Sequence, residues 1–233
     1  MTSYRKPRQA VHVVALAATM SVSMITYSAA YDTVPKQQSP LFVKAAGTSG
    51  ATKSQENNAT VFIQSMGDQV IKYISSSNAD TTTRKEQLRG ILLQNFDMNT
   101  ISRFTLGVHW KSLNAEQQKE YQSLFENMIV SIYADKFSSY QGEKFEVTGA
   151  SLTTDGDYSV TSNIVPLNGQ KIPVKWRIRD KESTGTFKIV DVEIKDISMI
   201  ITQRADFAST IQNNGGNAAS ILDSLREREK STQ

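Results

Sequence analysis

Residues 114–140 read NAEQQKEYQSLFENMIVSIYADKFSSY and carry a long apolar stripe. Asn114 can cap a helix here, Gln117 can reach back as its capping-box partner, and Gly142 can end it. The large apolar side chains recur at the three- and four-residue spacing of one helical face, not at the spacing of two typical of a strand. They are Tyr121, Leu124, Phe125, Met128, Ile129, Ile132, Tyr133, Phe137 and Tyr140. A helix of this length, about 40 Å, needs a broad apolar surface opposite it.

Shorter helical patterns precede this segment. Apolar residues at helical spacing over 61–74 predict a first helix, and Thr82 or Thr83 can cap a second one that runs to about Asn95. Asp97 can cap a third helix, which Gly107 would end. The short links between these helices predict a compact helical layer.

The apolar period changes from helical to two after residue 142. Alternating residues over 145–147, 158–164, 172–178 and 187–194, with Asp-Gly and Asn-Gly turns between the early strands, predict four consecutive antiparallel strands. A change of phase at Ile189–Val190 predicts a β-bulge. We therefore expect an α+β fold: a four-stranded twisted antiparallel meander packs against the helical layer with its one long helix, C-terminal helices close it, and an internal apolar pocket lies between.

The beginning of the chain has the pattern of a secretory signal peptide. Arg5, Lys6 and Arg8 precede a short apolar run, and small residues follow at Ser28-Ala29-Ala30. A membrane anchor is the alternative, but the apolar run falls short of the roughly 20 residues that span a bilayer. The predicted divisions are a signal peptide at 1–30, a flexible linker at 31–56 and one domain at 57–233, with a helical part at 57–142, the sheet at 143–196 and closing helices at 197–230. This leader predicts that the chain is exported from the cytoplasm.

Charge and composition exclude several classes of function. The formal net charge is +3, and the three basic residues of the leader account for it, so the exported chain is nearly neutral. We therefore expect no binding to nucleic acid, because no net positive field remains to attract phosphates. The chain has no cysteine, which excludes disulfides and thiolate chemistry.

No pattern in the sequence indicates catalysis. His109 is the only histidine beyond the leader, so a histidine-based metal site has no second ligand of its kind. Asp155 and Asp157 flank Gly156, and a turn explains them better than a carboxylate pair or a calcium site. We expect a protein that is not an enzyme and that has neither metal nor cofactor. Composition alone leaves open whether its abundant inward-facing apolar residues fill the core or surround a cavity.

The chain resembles the MlaC family of auxiliary proteins of a lipid ABC transporter, also called toluene-tolerance proteins. The similarity covers about 61–225 and depends on the order and spacing of several short pieces. These are Phe96-Asp97, Leu106-Gly107, Trp110, Gln117-Gln118, Tyr121, Phe125, Tyr133, Tyr140, Gly142, the segment GTFKIVDV at 185–192, the segment ISM at 197–199, Arg204 and Phe207. The chain has Phe187 where the family usually has Trp, and Asp196 where it often has Gly.

The resemblance implies a periplasmic carrier that encloses the acyl chains of a phospholipid in a cavity between sheet and helices, with the headgroup outward. It also implies two partners, an outer-membrane lipoprotein complex and an inner-membrane ABC transporter complex; we expect the carrier to be a monomer. We predict that the lipid contacts a set of apolar residues whose spacing places them on the inward faces of the helices and strands. They are Phe125, Met128, Ile132, Val147, Val160, Ile164, Val174, Trp176, Ile178, Ile189, Met199, Ile200, Phe207 and Ile211.

Other functions fit the same pattern. A carrier of a hopanoid or another polycyclic lipid would have similar apolar periodicity around a broader and shorter cavity. A small periplasmic α+β enzyme would need acids and bases that converge in the pocket. A structural periplasmic module would have a solid core.

Overall fold

A computed structural model describes residues 49–75, 80–181 and 185–231. The predicted signal peptide and the first part of the predicted linker, 31–48, lie outside the described residues. Within them the chain forms helices, then a sheet, then helices, which confirms the predicted α+β order. The helices are α1 (Ser49–Ser75), α2 (Thr81–Asn95), α3 (Met98–Leu106), a 3₁₀ helix (Gly107–Ser112), α4 (Ala115–Phe137), α5 (Met199–Asn213) and α6 (Ser220–Ser231). No helix in this part of the chain is both long and apolar enough to cross a bilayer.

The sheet is an antiparallel meander in which each strand pairs with the next along the chain. It has five strands where four were predicted, because a short strand follows the last predicted one. The strands are β1 (Lys144–Leu152), β2 (Tyr158–Val165), β3 (Ile172–Lys181), β4 (Thr186–Ile194) and β5 (Ile197–Ser198). The register of β3 against β4 shifts so that Arg177 pairs with Asp191 and Ile178 with Ile189. Val190 is the extra residue, which confirms the predicted bulge.

Local capping residues set most helix ends as predicted. The Asn114 side chain accepts from the Gln117 N–H at 2.9 Å, and the Gln117 side chain accepts from the Asn114 N–H at 3.0 Å, which completes the capping box. Asp97 caps α3 by accepting from the Thr100 N–H. Asp196 has a φ of +63°, so it takes the left-handed backbone conformation that glycine favours.

The structure corrects other helix boundaries. Asp80 caps α2 instead of Thr82 or Thr83, and α4 ends at Phe137, before Tyr140. Helix α1 begins at Ser49, so residues 49–56 are helical where a flexible linker was expected. Tertiary contacts hold the end of this segment: the Gln55 side chain accepts from the Tyr158 hydroxyl at 2.7 Å, and the Glu56 side chain accepts from the Leu152 N–H at 3.1 Å. Such long-range bonds leave no local pattern in the sequence.

The buried apolar side chains form clusters on either side of the α2–α3 junction, which consists of Phe96 and Asp97. One cluster joins α3 to α6 around Tyr121, Phe125 and Phe207 and contains no strand residue. A second cluster lies between the first half of α1 and one face of the sheet, around Ile63 and Ile178. The junction is tied to β4, because the Asp97 N–H donates to the Ile189 carbonyl at 2.9 Å. The sheet and the helical core therefore form one continuous body.

We predict that Asp157→Asn lowers the free energy of unfolding by about 1 kcal/mol. The Asp157 carboxylate is almost fully buried and accepts from Arg177 Nε at 2.6 Å and from Arg179 Nε at 2.9 Å. Arg179 Nη2 also donates to this carboxylate at 3.0 Å. The amide would keep one acceptor oxygen but lose the negative charge and the second acceptor, so at least one of these arginine hydrogen bonds would be lost. Each arginine is about two-fifths exposed and can return to water, which limits the loss. Urea unfolding of both proteins measures the difference. Equal midpoints would show that this ion cluster does not stabilise the hairpin.

Candidate ligand-binding cavity

A cavity of about 200 Å³ lies between one face of the sheet and the helices α1, α2 and α4. The second half of α1 and residues of the second half of α2 form its roof, and the last turns of α4 form one side. The helix residues and the junction residue that line it are Met66, Gly67, Val70, Ile71, Ile74, Leu88, Ile91, Leu92, Phe96, Tyr133, Lys136 and Phe137. Because nearly all of these side chains are apolar, the roof suits hydrocarbon and offers little to a polar ligand.

The sheet forms the floor of the cavity through side chains that alternate along four strands. They are Phe145, Ile164, Ile172, Val174, Trp176, Val192 and Ile194. The Trp176 indole N–H donates to Ser162 Oγ at 2.8 Å, and this buried hydroxyl satisfies the only polar atom of the ring. Trp176 thus contributes a purely apolar surface to the floor.

Polar groups line the cavity at one place, the connection between α4 and β1. This rim consists of Lys136, Tyr140, Glu143 and Lys144. The Tyr140 hydroxyl donates to the Glu143 carbonyl at 2.9 Å, and a carboxylate oxygen of Glu143 accepts from the Gln141 N–H at 2.9 Å. Burial, and secondly the Glu143 carboxylate, raise the pKa of Tyr140, so its hydroxyl stays neutral. The wall of the cavity is therefore almost entirely apolar, and the charged residues of its lining all belong to this rim.

Gly67 marks the point where α1 changes from close packing to cavity roof. Before it, Ala59, Ile63 and Met66 pack in the solid cluster against the sheet. A Cβ built on Gly67 would lie 2.4 Å from Cδ1 of Phe145, so the ring rests directly on the glycine backbone. This close approach lets α1 lie against β1 at the edge of the cavity.

The structure places three of the predicted lipid-contacting residues in the cavity lining, namely Ile164, Val174 and Trp176. Four of the other predicted residues belong to the solid cluster between the sheet and the first half of α1. They are Val147, Val160, Ile178 and Ile189. Six predicted residues of the helices belong to the helical core, namely Phe125, Met128, Ile132, Ile200, Phe207 and Ile211. Met199 lies half-buried at the start of α5. The structure thus does not bring the predicted set together around one space. Contact of its members with lipid stays a prediction.

The prediction omitted the whole roof and the rim. The signal for part of the roof was present, because Met66, Val70, Ile71 and Ile74 belong to the apolar stripe of the first predicted helix. The signal for the side wall lay in the last third of the 114–140 stripe, where Tyr133 and Phe137 face the cavity while Phe125 and Met128 face α5 and α6. No sequence pattern indicated that α1, rather than the closing helices, would cover this part of the sheet.

Comparisons with known proteins agree with this architecture. A family model described as MlaC protein matches residues 64–227. The chain is similar to the intermembrane phospholipid transport system binding protein MlaC of Haemophilus influenzae, with 25% identity over 167 residues, 68% of this chain and 77% of the relative. Its fold is similar to a phospholipid-binding protein from Ralstonia solanacearum solved in complex with a phospholipid, with a TM-score of 0.62 and 20% identity, over 75% of this chain and 98% of that one.

Fold and cavity define an α+β protein with an apolar cavity between a meander and its covering helices. The family model spans more than half of the sequence. The chain therefore belongs to the MlaC protein family, as the sequence resemblance predicted. The solved structure supports the fold alone, because its identity to this chain is low.

Proposed function

We propose that this protein is a periplasmic phospholipid carrier, which holds acyl chains in the cavity under α1 and leaves the headgroup at the rim. One observation carries the proposal: the lining is apolar except at the α4–β1 connection, so the cavity has the polarity of a lipid. Exposing two sixteen-carbon tails to water costs on the order of 25 kcal/mol, at about 0.8 kcal/mol per methylene. A carrier that crosses an aqueous compartment must cover these tails.

Loading requires the cavity to widen. Pockets for small ligands usually measure about 300–1,000 Å³, and the cavity of about 200 Å³ is smaller than this range. The roof can move more easily than the floor, because the strands of the floor are hydrogen-bonded to their neighbours along the sheet. We propose that the second half of α1, together with α2, moves away from the sheet as lipid enters and returns when it leaves.

We further propose that the carrier exchanges lipid with an outer-membrane lipoprotein complex and an inner-membrane ABC transporter complex. Exposed apolar side chains support a protein docking surface: Val108 is 73% exposed and Ile201 is 61% exposed. They flank Arg204, whose guanidinium lies 5.1 Å from the Phe104 ring and within 3 Å of a Cβ built on Gly107. An apolar surface with a stacked arginine is typical of protein interfaces.

The carrier function predicts that the protein purifies with about one phospholipid per chain when no detergent is added. Native mass spectrometry of the intact protein, followed by extraction and fragmentation of the bound molecule, measures both stoichiometry and class. Protein refolded after organic extraction serves as the lipid-free control, and it should regain the mass shift after incubation with phospholipid vesicles. A hopanoid mass would support the polycyclic-lipid alternative, and no bound mass under either condition would contradict a carrier.

Catalysis has no support in the cavity. The described residues contain no group of three or more His, Asp or Glu side chains that could hold a metal ion. Among the described residues that line the cavity, Glu143 is the only one with a carboxylate, and it lies at the rim. We propose that the protein acts on lipid by binding and release alone; conversion of a bound phospholipid to a new mass would contradict this.

A further inference from the structure

We propose that Lys136 and Lys144 form a binding site for the phosphodiester of the lipid headgroup. This inference rests on the proposed carrier function and adds a specificity to it: the cavity selects phospholipids over neutral lipids that have the same tails. Both lysines line the cavity, one in the last turn of α4 and one at the first residue of β1. Within the part of the chain that the structure describes, they are the only cationic residues of the lining.

Neither ammonium group is neutralised within the described part of the chain. The ion pairs there join other residues, such as Lys171 to Glu146 and Arg89 to Glu126, and none includes Lys136 or Lys144. The lining has one carboxylate, that of Glu143, and one of its oxygens already accepts from the Gln141 N–H. The rim thus has one more positive than negative charge, which matches the single negative charge of a phosphodiester.

The end of α4 opposes an anion less than a free helix C-terminus would. The partial negative charge of a helix C-terminus comes from carbonyls that lack a hydrogen-bond donor. Here the Ala134 carbonyl accepts from the Ser138 N–H at 3.2 Å, and the Lys136 carbonyl accepts from the Ser139 N–H at 3.1 Å. These hydrogen-bonded carbonyls therefore oppose the positive charge of the two lysines only weakly.

Position and chemistry together orient the ligand. Because the polar lining comes from a single short connection, a phosphate bound there leaves the glycerol and tails facing the apolar walls under α1 and α2. A neutral diacylglycerol has the same tails but offers the lysines no charge. The lysines should therefore distinguish the two lipids while contributing little to the affinity for hydrocarbon.

The test compares the wild-type chain, the double variant Lys136→Met with Lys144→Met, and the control Lys171→Met. Methionine keeps the apolar stem and removes the charge, and Lys171 is an exposed lysine outside the cavity lining, paired with Glu146. Lipid-free protein is incubated with vesicles of phosphatidylglycerol and diacylglycerol in equal amounts with identical acyl chains. Native mass spectrometry then gives the ratio of the two bound lipids.

We expect the wild type and the control to bind mainly phosphatidylglycerol, and the ratio to fall about three- to tenfold in the double variant through loss of phosphatidylglycerol and not of diacylglycerol. An unchanged ratio, or an equal loss of both lipids, would overturn the site. Uptake of neither lipid by the wild type would contradict the carrier function itself, whereas equal uptake of both would contradict only the phosphate site.

A titration with inorganic phosphate tests whether the ligand of this site is the lipid headgroup or the free phosphate ion. The lipid-free chain is titrated with inorganic phosphate while the lysine side-chain resonances are followed by NMR. We expect no saturable shift, because free phosphate lacks the tails that place the headgroup at the rim. Saturable shifts of Lys136 and Lys144 with phosphate alone would assign the site to the free ion and overturn the proposal.

Discussion

Replacing Val174 with glutamine is expected to remove co-purifying phospholipid at least about tenfold while the protein stays folded. Val174 is buried in the middle of the cavity floor, where β3 pairs with Ser162 on one side and Ile194 on the other. The glutamine side chain would place an amide against the acyl tails, and an amide without a hydrogen-bond partner costs about 1–3 kcal/mol. Val174 is also almost fully buried without lipid, so the substitution lowers the stability of the lipid-free fold as well, and the lipid loss is measured on the folded protein.

The measurement is the molar ratio of lipid to protein after purification without detergent, together with the thermal midpoint. Val61→Gln is the matched control, because it makes the same substitution in α1 at a side chain that is 65% exposed and outside the lining. We expect the control to retain lipid. Trp176→Gln should reproduce the loss at a second position of the floor. Stoichiometric lipid in folded Val174→Gln would show that the tails do not contact this floor.

The sequence was sufficient for features that depend on neighbouring residues. The capping box at Asn114, the cap at Asp97 and the order of the strands each follow from side chains a few positions apart. The bulge at Val190 could be predicted because the apolar residues of this strand change from alternate positions of one parity to those of the other. One extra residue in the strand keeps both sets on the same face of the sheet. Hydrogen bonds within a turn or a strand decide these features, and distant packing alters them little.

The position of the cavity could not be predicted in the same way. The spacing of apolar residues shows which face of a helix or strand points inward. It does not show which other element packs against that face, or the distance between the two. Ile178 and Val174 share one face of β3, yet Ile178 is packed under the first half of α1 whereas Val174 lines the cavity under the second half. The separation between α1 and the sheet decides between the two environments, and that separation depends on contacts such as the one at Gly67.

Gly67→Ala is expected to destabilise the fold by about 2 kcal/mol and to weaken lipid retention. In an exposed helix the same change would stabilise by up to about 1 kcal/mol, because alanine is the better helix former. At Gly67 the added Cβ would lie 2.4 Å from the Phe145 ring, a distance at which the ring or the helix must move. Phe145 also lies edge-on to Trp176, with ring centroids 6.0 Å apart, and lines the cavity.

Gly90→Ala is the internal control for this prediction, because Gly90 lies in α2 and a Cβ built there meets nothing within 4 Å. We expect urea unfolding to show opposite signs for the two substitutions. The double variant Gly67→Ala with Phe145→Leu should recover part of the lost stability, because the smaller side chain makes room for the methyl group. If Gly67→Ala is as stable as Gly90→Ala and keeps its lipid, α1 does not close the cavity through contact with Phe145. Recovery of stability without recovery of lipid would instead show that the Phe145 ring itself forms part of the wall that the tails require.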